Sequence, residues 1–224
     1  MVAPPDLWLD TIWPRVRAHL PPAPARVVDL GCGPLGGFVP YLRSEGYDAV
    51  GVDPKAPDAP GYLRTEFEHA EVPRGVDAVV ACASLHHVAD PAHVLERMSD
   101  VLVTGGAVVV VEWAWEEFDA QTAEWAFGRL RVSTDPGWLN RRFDEWRTSG
   151  EDWPSYLESW AEAHGLHPAR KLVPLLDAQL RRRSLARGPF LFADLADTSE
   201  ADEQAAIDAG HVRPLRIDYV GVRG

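Results

Sequence analysis

The chain has 224 residues and a formal net charge of -12 at pH 7, from 22 Lys and Arg against 34 Asp and Glu. This length suffices for one α/β domain with a substantial core, and because no Pro-, Gly- or Ser-rich run divides it, we predict a single domain over residues 1–224. The negative charge argues against binding nucleic-acid phosphates, which requires clustered Lys and Arg. Since there is no basic leader and no run of about 18 apolar residues, neither export nor membrane insertion is supported, and we expect a cytoplasmic protein.

The chain opens with a helical pattern that leads into a glycine-rich turn. Apolar residues at helical spacing predict a leading helix within residues 1–20, which Pro21-Pro22 ends. A buried parallel strand is predicted over 25–30, and it runs into Gly31-Cys32-Gly33-Pro34-Leu35-Gly36. A helix is predicted over 35–45. The turn therefore joins a strand to a helix, which is the usual position of a nucleotide-binding loop.

Residues 48–112 continue the alternation of strands and helices. Strands are predicted over 48–53, 61–67, 76–82 and 107–111, and a helix over 91–103 is capped by Asp90 and started by Pro91. This alternation predicts a parallel sheet with helices on both faces and a ligand at the carboxyl ends of its strands. We therefore predict that residues 25–112 form a cofactor-binding core.

The second half of the chain combines helices with two closing strands. Residues 113–184 contain seven of the nine tryptophans and fit helices over 116–131, 138–148, 152–165 and 171–184, with a break at Asp135-Pro136-Gly137. The run Arg181-Arg182-Arg183 fits a solvated helix end better than a contact with an anionic substrate. Residues 185–224 supply strands over 189–193 and 215–222, with a helix over 198–209 between them. We expect residues 113–184 to form a helical cover over the substrate.

The glycine turn leaves two kinds of nucleotide cofactor open. Gly31, Gly33 and Gly36 satisfy the dinucleotide fingerprint G-x-G-x-x-G, so a nicotinamide or flavin dinucleotide fits the turn as well as S-adenosylmethionine does. Asp29 favours a cofactor with cationic ammonium and sulfonium groups, because its charge would repel a pyrophosphate. The run Asp29-Leu30-Gly31-Cys32-Gly33 resembles the first motif of class I S-adenosylmethionine-dependent methyltransferases.

Four later stretches are similar to the same family, in the expected order. They are Val50-Gly51-Val52-Asp53, the acidic stretch at Glu68 or Glu66, the loop Ala83-Ser84-Leu85-His86-His87, and the turn and strand over 102–112. Pro34-Leu35 departs from the family's usual Thr-Gly. The resemblance implies an α/β fold with a Rossmann-like, doubly wound, seven-stranded and mostly parallel sheet, an antiparallel last strand, and a helical lid after strand five.

The resemblance also implies a cofactor site and a reaction. Asp53 stands where a carboxylate accepts hydrogen bonds from both ribose hydroxyls, and Glu68 where one receives the adenine amino group. The cofactor-binding residues expected for S-adenosylmethionine are Asp29, Gly31, Cys32, Gly33, Asp53, Pro54, Glu68, Cys82 and Ala83. The expected activity is methyl transfer to oxygen or nitrogen of a small, aromatic or apolar acceptor, by a monomer or a homodimer. The alternatives are an S-adenosylmethionine-binding sensor or partner subunit without turnover, and an NAD(P)-dependent oxidoreductase.

Candidate catalytic and substrate-binding residues follow the fourth and fifth strands. A neutral imidazole of His86 or His87 can take a proton from the acceptor, and we favour His87 as the general base, with packing of the pair as the alternative. A metal site that joins the two histidines to Glu112 is disfavoured, because adjacent histidines seldom converge on one ion. Trp113 and Trp115, directly after the fifth strand, are the candidates for a substrate wall.

Overall fold

Strands and helices alternate along most of the chain, of which the computed structural model describes residues 4–132 and 137–224. The strands are β1 (Arg26–Leu30), β2 (Asp48–Val52), β3 (Tyr62–Leu63), β4 (Val76–Cys82), β5 (Leu102–Trp113), β6 (Arg181–Gly188) and β7 (Arg216–Val222). The helices are α1 (Pro4–Arg17), α2 (Val39–Ser44), α3 (Pro91–Val101), α4 (Ala120–Phe127), α5 (Trp138–Ser149), α6 (Trp153–Ala163), α7 (Ala169–Gln179) and α8 (Glu200–Asp208). Short 3-10 turns lie at Phe67–His69, Leu85–His87, Trp115–Glu117 and Phe192–Asp194.

The seven strands form one sheet in the order β3-β2-β1-β4-β5-β7-β6. The pairings among β1 to β5 are parallel, and β7 runs antiparallel to both of its neighbours, β5 and β6. The predicted mostly parallel sheet with an antiparallel last strand is confirmed. Chain connections leave β1 in one direction and β4 in the other, so a crevice opens at the carboxyl ends of these two strands, where open α/β sheets bind ligands.

Helices cover both faces of the sheet. On one face, α3 and α7 share a buried cluster with the central strands, which includes Val28, Val79 and Met98. On the other face, α1 and α2 bury Ile12 and Phe38 against the same strands. Because the central strands are covered on both sides, they carry the continuous apolar runs from which they were predicted.

A third cluster of buried side chains is rich in aromatic rings and lies beyond the end of β5. It holds Trp113, Trp115, Phe118, Trp153 and Phe190 together with aliphatic neighbours. We call residues 113–166, which supply most of this cluster, the aromatic cover. Its helices α5 and α6 follow the prediction closely, whereas α4 ends at Phe127 and the described chain then continues to an isolated bridge between Leu130 and Leu195. In the predicted break, Asp135 and Pro136 lie outside the described residues.

The prediction for the sixth strand was wrong. The predicted strand over 189–193 overlaps the 3-10 turn Phe192–Asp194, and the predicted helix over 171–184 ends at Gln179. The strand is Arg181–Gly188, which includes the Arg181-Arg182-Arg183 run. β6 is an edge strand with nearly every side chain exposed, so it lacks an apolar face and its arginines keep their charges in water. Charged residues at a sheet edge commonly prevent pairing with another chain. Because they give β6 no alternating apolar pattern, hydrophobic patterns did not predict this strand.

The first helix after the glycine turn also begins later than predicted. Residues 33–38 form consecutive turns, and α2 starts at Val39 instead of Leu35. The carboxylate of Asp29 accepts the backbone N–H of Phe38 at 2.7 Å, which holds this turn over the end of β1. The later start leaves open space above the strand end, and two cavities of the molecule meet there.

Candidate functional site

Two neighbouring cavities open at the carboxyl ends of β1 and β4. The first has a volume of about 620 Å³ and extends from Asp29 and Cys32 to the aromatic cover and the turn after β6. The second has a volume of about 440 Å³ and extends over the ends of β2 and of the Phe67–His69 turn. Gly31, Pro34 and Ala83 line both cavities, so the two spaces adjoin over the glycine turn.

The structure brings all the predicted cofactor-binding residues to these two spaces. The first cavity is lined by Asp29, Gly31, Cys32, Cys82 and Ala83, and the second by Gly31, Gly33, Asp53, Pro54, Glu68 and Ala83. Glu66, the alternative to Glu68, also lines the second cavity. The residues are far apart in the sequence, and the parallel register of β1, β2 and β4 places their carboxyl ends side by side.

Asp29 is a buried carboxyl group in the wall of the first cavity. Only 1 % of the residue is exposed, and burial raises the pKa of Asp29 to about 7, although the hydrogen bond from Phe38 opposes this rise. A nearby cation would lower that pKa again, because it favours the charged form of the carboxyl group. Asp29 therefore lies in the cavity wall as a carboxyl group whose charged form is disfavoured by burial, and a cation in the cavity would favour that form.

The backbone of the glycine turn approaches the loop after β4 closely. A Cβ atom at Gly31 would stand 2.1 Å from Cβ of Ser84, and Ser84 Oγ donates a hydrogen bond of 2.9 Å to the carbonyl of Leu30. Next to it, Ala83 has a φ of 47°, an unusual backbone conformation for a residue with a side chain. Such strain persists only where neighbouring contacts enforce it, and here it lies in the wall shared by the two cavities.

Glu112 at the end of β5 fixes the loop after β4. One carboxylate oxygen accepts the backbone N–H groups of Ser84 and Leu85 at 2.8 and 2.6 Å. The other accepts from Nδ1 of His86 at 2.6 Å and from the N–H of Trp113 at 3.0 Å. Burial alone would raise the pKa of Glu112, but His86 and the backbone donors together hold it below its ordinary value. The charged carboxylate of Glu112 thus fixes the loop after β4 through its backbone N–H groups and His86.

The two adjacent histidines occupy different environments. His86 is buried, and because the carboxylate of Glu112 only accepts hydrogen bonds, Nδ1 of His86 carries the proton that it donates. His86 lines neither cavity, so this placement fits the packing alternative for that residue. His87 is exposed at the rim of the second cavity, and its ring centroid lies 4.1 Å from that of His86. Partial desolvation and the neighbouring His86 lower the pKa of His87 to about 4, so its imidazole is neutral at pH 7.

The disfavoured metal set consists of Glu112 and the two histidines. Both carboxylate oxygens of Glu112 already accept hydrogen bonds, from backbone N–H groups and from His86. Within the described ranges, 4–132 and 137–224, no group of three or more His, Cys, Asp or Glu side chains is arranged to hold a metal ion.

The aromatic wall of the first cavity differs from the one expected. Trp113 and Trp115 are 4 % and 8 % exposed and belong to the core of the aromatic cover. The rings that line the cavity are those of Trp8, Phe38, Trp138 and Phe190. Trp113 lies behind two of them, with its ring centroid 5.0 Å from Trp138 and 6.0 Å from Phe190. Trp113 thus supports the wall from behind.

Sequence reasoning missed the turn that carries Phe190 and Asp194. Glu203 of α8 is fully buried and accepts the backbone N–H groups of Phe190, Leu191 and Phe192 at 2.7 to 2.9 Å. This bonding holds the turn against the cavity, where Phe190 and Asp194 form part of the wall. The apolar run over 189–193 was a visible signal, but it indicated a strand. Neither Asp194 nor Glu203 stands in a recognisable motif.

The sheet order, the glycine turn over β1 and the acids at the carboxyl ends of β1 and β2 together define a class I S-adenosylmethionine-dependent methyltransferase. The family profile described as a methyltransferase domain matches residues 7–179, and the chain belongs to this family. Its cofactor is S-adenosylmethionine, and the open choice between this cofactor and a dinucleotide is thereby settled.

Individual relatives agree with this assignment. An uncharacterized methyltransferase of Mycobacterium bovis is 33% identical over 96 residues, which cover 38% of this chain and 49% of that protein. A tRNA U34 carboxymethyltransferase of Stutzerimonas stutzeri is 32% identical over 131 residues, which cover 51% of this chain and 40% of that protein. The chain thus spans half or less of the length of these curated relatives.

The fold has close counterparts among solved structures. The crystal structure of an S-adenosylmethionine dependent methyltransferase from Mesorhizobium loti matches 96% of this chain and 100% of that chain, with a TM-score of 0.58 and 20% sequence identity. The similarity confirms the Rossmann-like fold. Among the helices of residues 4–132 and 137–224, none combines the length and the apolar character needed to span a lipid bilayer.

Proposed function

We propose that this chain transfers a methyl group from S-adenosylmethionine to an oxygen or nitrogen of a small, aromatic or otherwise apolar acceptor. The observation that carries the proposal is the first cavity. Its wall combines the glycine turn and Asp29 with the rings of Trp8, Trp138 and Phe190. A volume of about 620 Å³ lies within the usual range for small-molecule sites. Aromatic walls with few polar groups favour a flat, apolar acceptor.

The residues of the two cavities fit the parts of S-adenosylmethionine. Asp29 is a buried carboxyl group in need of a positive charge, which the ammonium group of the cofactor would supply. At Gly33, no atom outside its immediate chain neighbours lies within 4 Å of the position that a Cβ would take, so the backbone there is open to a ligand. In the second cavity, we assign Asp53 to the ribose hydroxyls and Glu68 to the adenine amino group.

The cofactor, when bound, supplies an activated methyl group, so the chain has to position the acceptor, exclude water and accept a proton where one is released. The hypothesis that His87 is the general base remains to be tested. Its neutral imidazole can accept a proton, but a pKa of about 4 makes it a weak base at pH 7. It also lines the second cavity, on the side of the proposed adenosine site.

A tRNA acceptor is the second candidate, because the relative from Stutzerimonas stutzeri is a tRNA U34 carboxymethyltransferase. The net charge of -12 opposes it, because contact with RNA phosphates requires clustered cations. A cofactor-binding subunit without turnover is the third candidate.

The test combines calorimetry with an activity assay. S-adenosylhomocysteine should bind to the whole chain, whereas NAD should not. Transfer of a labelled methyl group is then measured on aromatic phenols and amines and, separately, on bulk tRNA. Label on a small aromatic compound supports the proposal, and label on tRNA alone rejects it in favour of the second candidate. Binding of S-adenosylhomocysteine without label on any acceptor supports the third candidate, and absence of binding removes the cofactor site.

A further inference from the structure

We infer that Asp194 recognises the acceptor by accepting a hydrogen bond from its O–H or N–H group, and that this carboxylate receives the proton released on methylation. The inference rests on the proposed function and narrows the acceptor class to aromatic compounds with a hydroxyl or an N–H donor. It assigns the acid–base role to the turn after β6 and not to the histidine pair after β4.

The position of Asp194 is the first argument. Its turn, Phe192–Asp194, brings the side chain into the wall of the first cavity, beside Phe190 and Trp138. Asp29 lines the same cavity from the end of β1, on the side of the proposed cofactor. Asp194 is therefore the carboxylate on the acceptor side, where a polar group of an otherwise apolar ligand has to find its partner.

The orientation of Asp194 is fixed by its neighbours. One carboxylate oxygen, Oδ2, accepts a hydrogen bond of 2.9 Å from Nε1 of Trp138, a ring of the cavity wall. The other, Oδ1, would stand 2.8 Å from a Cβ atom at residue 137, so the absence of a side chain at Gly137 leaves room for the carboxylate. Glu203 holds the start of this turn and the two residues before it, because it accepts the backbone N–H groups of residues 190–192. A group held in this way is preorganised for binding.

The electrostatic surroundings suit a proton acceptor. Desolvation raises the pKa of Asp194 to about 6, while the hydrogen bond from Trp138 and the charges of Arg131 and Arg141 limit the rise. The group is thus mostly ionised at pH 7 and a stronger base than an exposed aspartate, whose pKa is about 3.9. General bases work best when their pKa lies close to the operating pH.

The bonds and charges of the step balance. The O–H or N–H bond of the acceptor breaks, and its proton passes to the carboxylate of Asp194, which becomes a neutral carboxyl group. The electron pair left on oxygen or nitrogen forms the new bond to the methyl carbon, and the sulfur retains the pair of the broken S–C bond. Asp194 then loses the proton to water.

The test compares aromatic donors with their methylated counterparts. The probes are phenol with anisole, 2-naphthol with 2-methoxynaphthalene, and indole with 1-methylindole, and their binding to the chain loaded with S-adenosylhomocysteine is measured by saturation-transfer NMR. For wild type, the member with the donor should bind about tenfold or more tightly, as expected for a hydrogen bond to a charged group. In Asp194→Asn this preference should disappear, and methyl transfer to the bound donors should fall about a hundredfold.

Asp197→Asn is the matched control, because it makes the same charge change three residues further on, at an exposed position with a φ of 45° that asparagine tolerates. It should retain wild-type preference and turnover. Gly137→Ala provides a second variant that keeps the carboxylate but crowds it, and it should also reduce the preference.

The two ideas fail in different ways. An unchanged preference in Asp194→Asn, or wild-type binding with no preference in any pair, overturns the role of Asp194 while S-adenosylhomocysteine still binds. Absence of S-adenosylhomocysteine binding to the wild-type chain overturns the proposed function instead. Loss of that binding in Asp194→Asn alone would show damage to the fold, and Gly137→Ala then decides: normal preference in that variant also rejects the inference.

Discussion

Replacing Gly33 with valine should abolish cofactor binding and leave the fold largely intact. The residue has a φ of 63°, and no atom outside its immediate chain neighbours lies within 4 Å of the position that a Cβ would take. A Cβ atom therefore meets no protein atom there, and we expect the side chain to extend into the second cavity, whose wall Gly33 helps to form. Space needed by the cofactor would be filled, and we expect the affinity for S-adenosylhomocysteine to fall at least a hundredfold.

The cost to the fold follows from the backbone angle alone. A left-handed conformation costs a residue with a side chain about 1–2 kcal/mol, and in a domain of this size that lowers Tm by roughly 2–8 °C. Gly105→Val is the matched control. Gly105 has a φ of 79° and equally open surroundings, but it lies at the start of β5 and lines neither cavity.

The assay is titration calorimetry with S-adenosylhomocysteine, together with thermal unfolding of both variants. The two variants should lose similar stability, and only Gly33→Val should lose affinity. Normal affinity in Gly33→Val would refute the reasoning, because the glycine turn would then be no more than a chain reversal. Equal losses of affinity in both variants would refute it as well, since they would trace the effect to backbone strain.

Three further predictions concern side chains of the two cavities. Asp53→Ala should weaken S-adenosylhomocysteine by about 1.5–3 kcal/mol for each lost hydrogen bond to the carboxylate, and calorimetry that finds no change removes Asp53 from the site. Because the pKa of Asp29 is raised to about 7, the affinity for S-adenosylhomocysteine should increase as the pH rises from 6 to 8. Asp29→Asn should make this affinity nearly independent of pH. The same raised pKa means that the folded chain holds the Asp29 proton more tightly than the unfolded chain does. The free energy of unfolding, measured in urea titrations, should therefore fall as the pH rises from about 4 to 7. This pH-dependent contribution should vanish in Asp29→Asn. His87→Ala should raise the Kd of S-adenosylhomocysteine and change kcat less than tenfold, whereas a loss of 10²–10⁴ in kcat at unchanged affinity would establish His87 as the general base.

Residues 25–112 could be predicted well because several independent signals agree there. The buried strands β1 and β4 are short apolar runs, Asp90 accepts the N–H of His93 at 3.1 Å as the predicted cap of α3, and the glycines mark the turn. Since parallel strands bring their carboxyl ends together, the order of the motifs was enough to predict that the candidate cofactor-binding residues lie close together, and they line two adjoining cavities.

The acceptor side could not be predicted in the same way. Trp113 and Trp138 are both tryptophans of one helical region, and the sequence does not say which ring faces a cavity and which supports it from behind. Asp194 reaches the cavity only because β6 is Arg181–Gly188, which moves the following turn to residues 192–194. An edge strand of charged residues has no apolar period, so the error in β6 carried over to the wall that follows it.

Three buried carboxylates hold loops of different sequence around the two adjoining cavities. Asp29, Glu112 and Glu203 are at most 2 % exposed, and each accepts backbone N–H groups from a segment that contributes to the cavity walls. Since an N–H group without a partner is costly to bury, each carboxylate fixes its segment more firmly than apolar packing alone would. Asp29 differs from the other two in its bonding, because it accepts one backbone N–H group, that of Phe38, and lines the first cavity itself. Glu112 and Glu203 each accept three backbone N–H groups, whereas under the proposed function the carboxylate of Asp29 gains a further partner from the ammonium group of the cofactor.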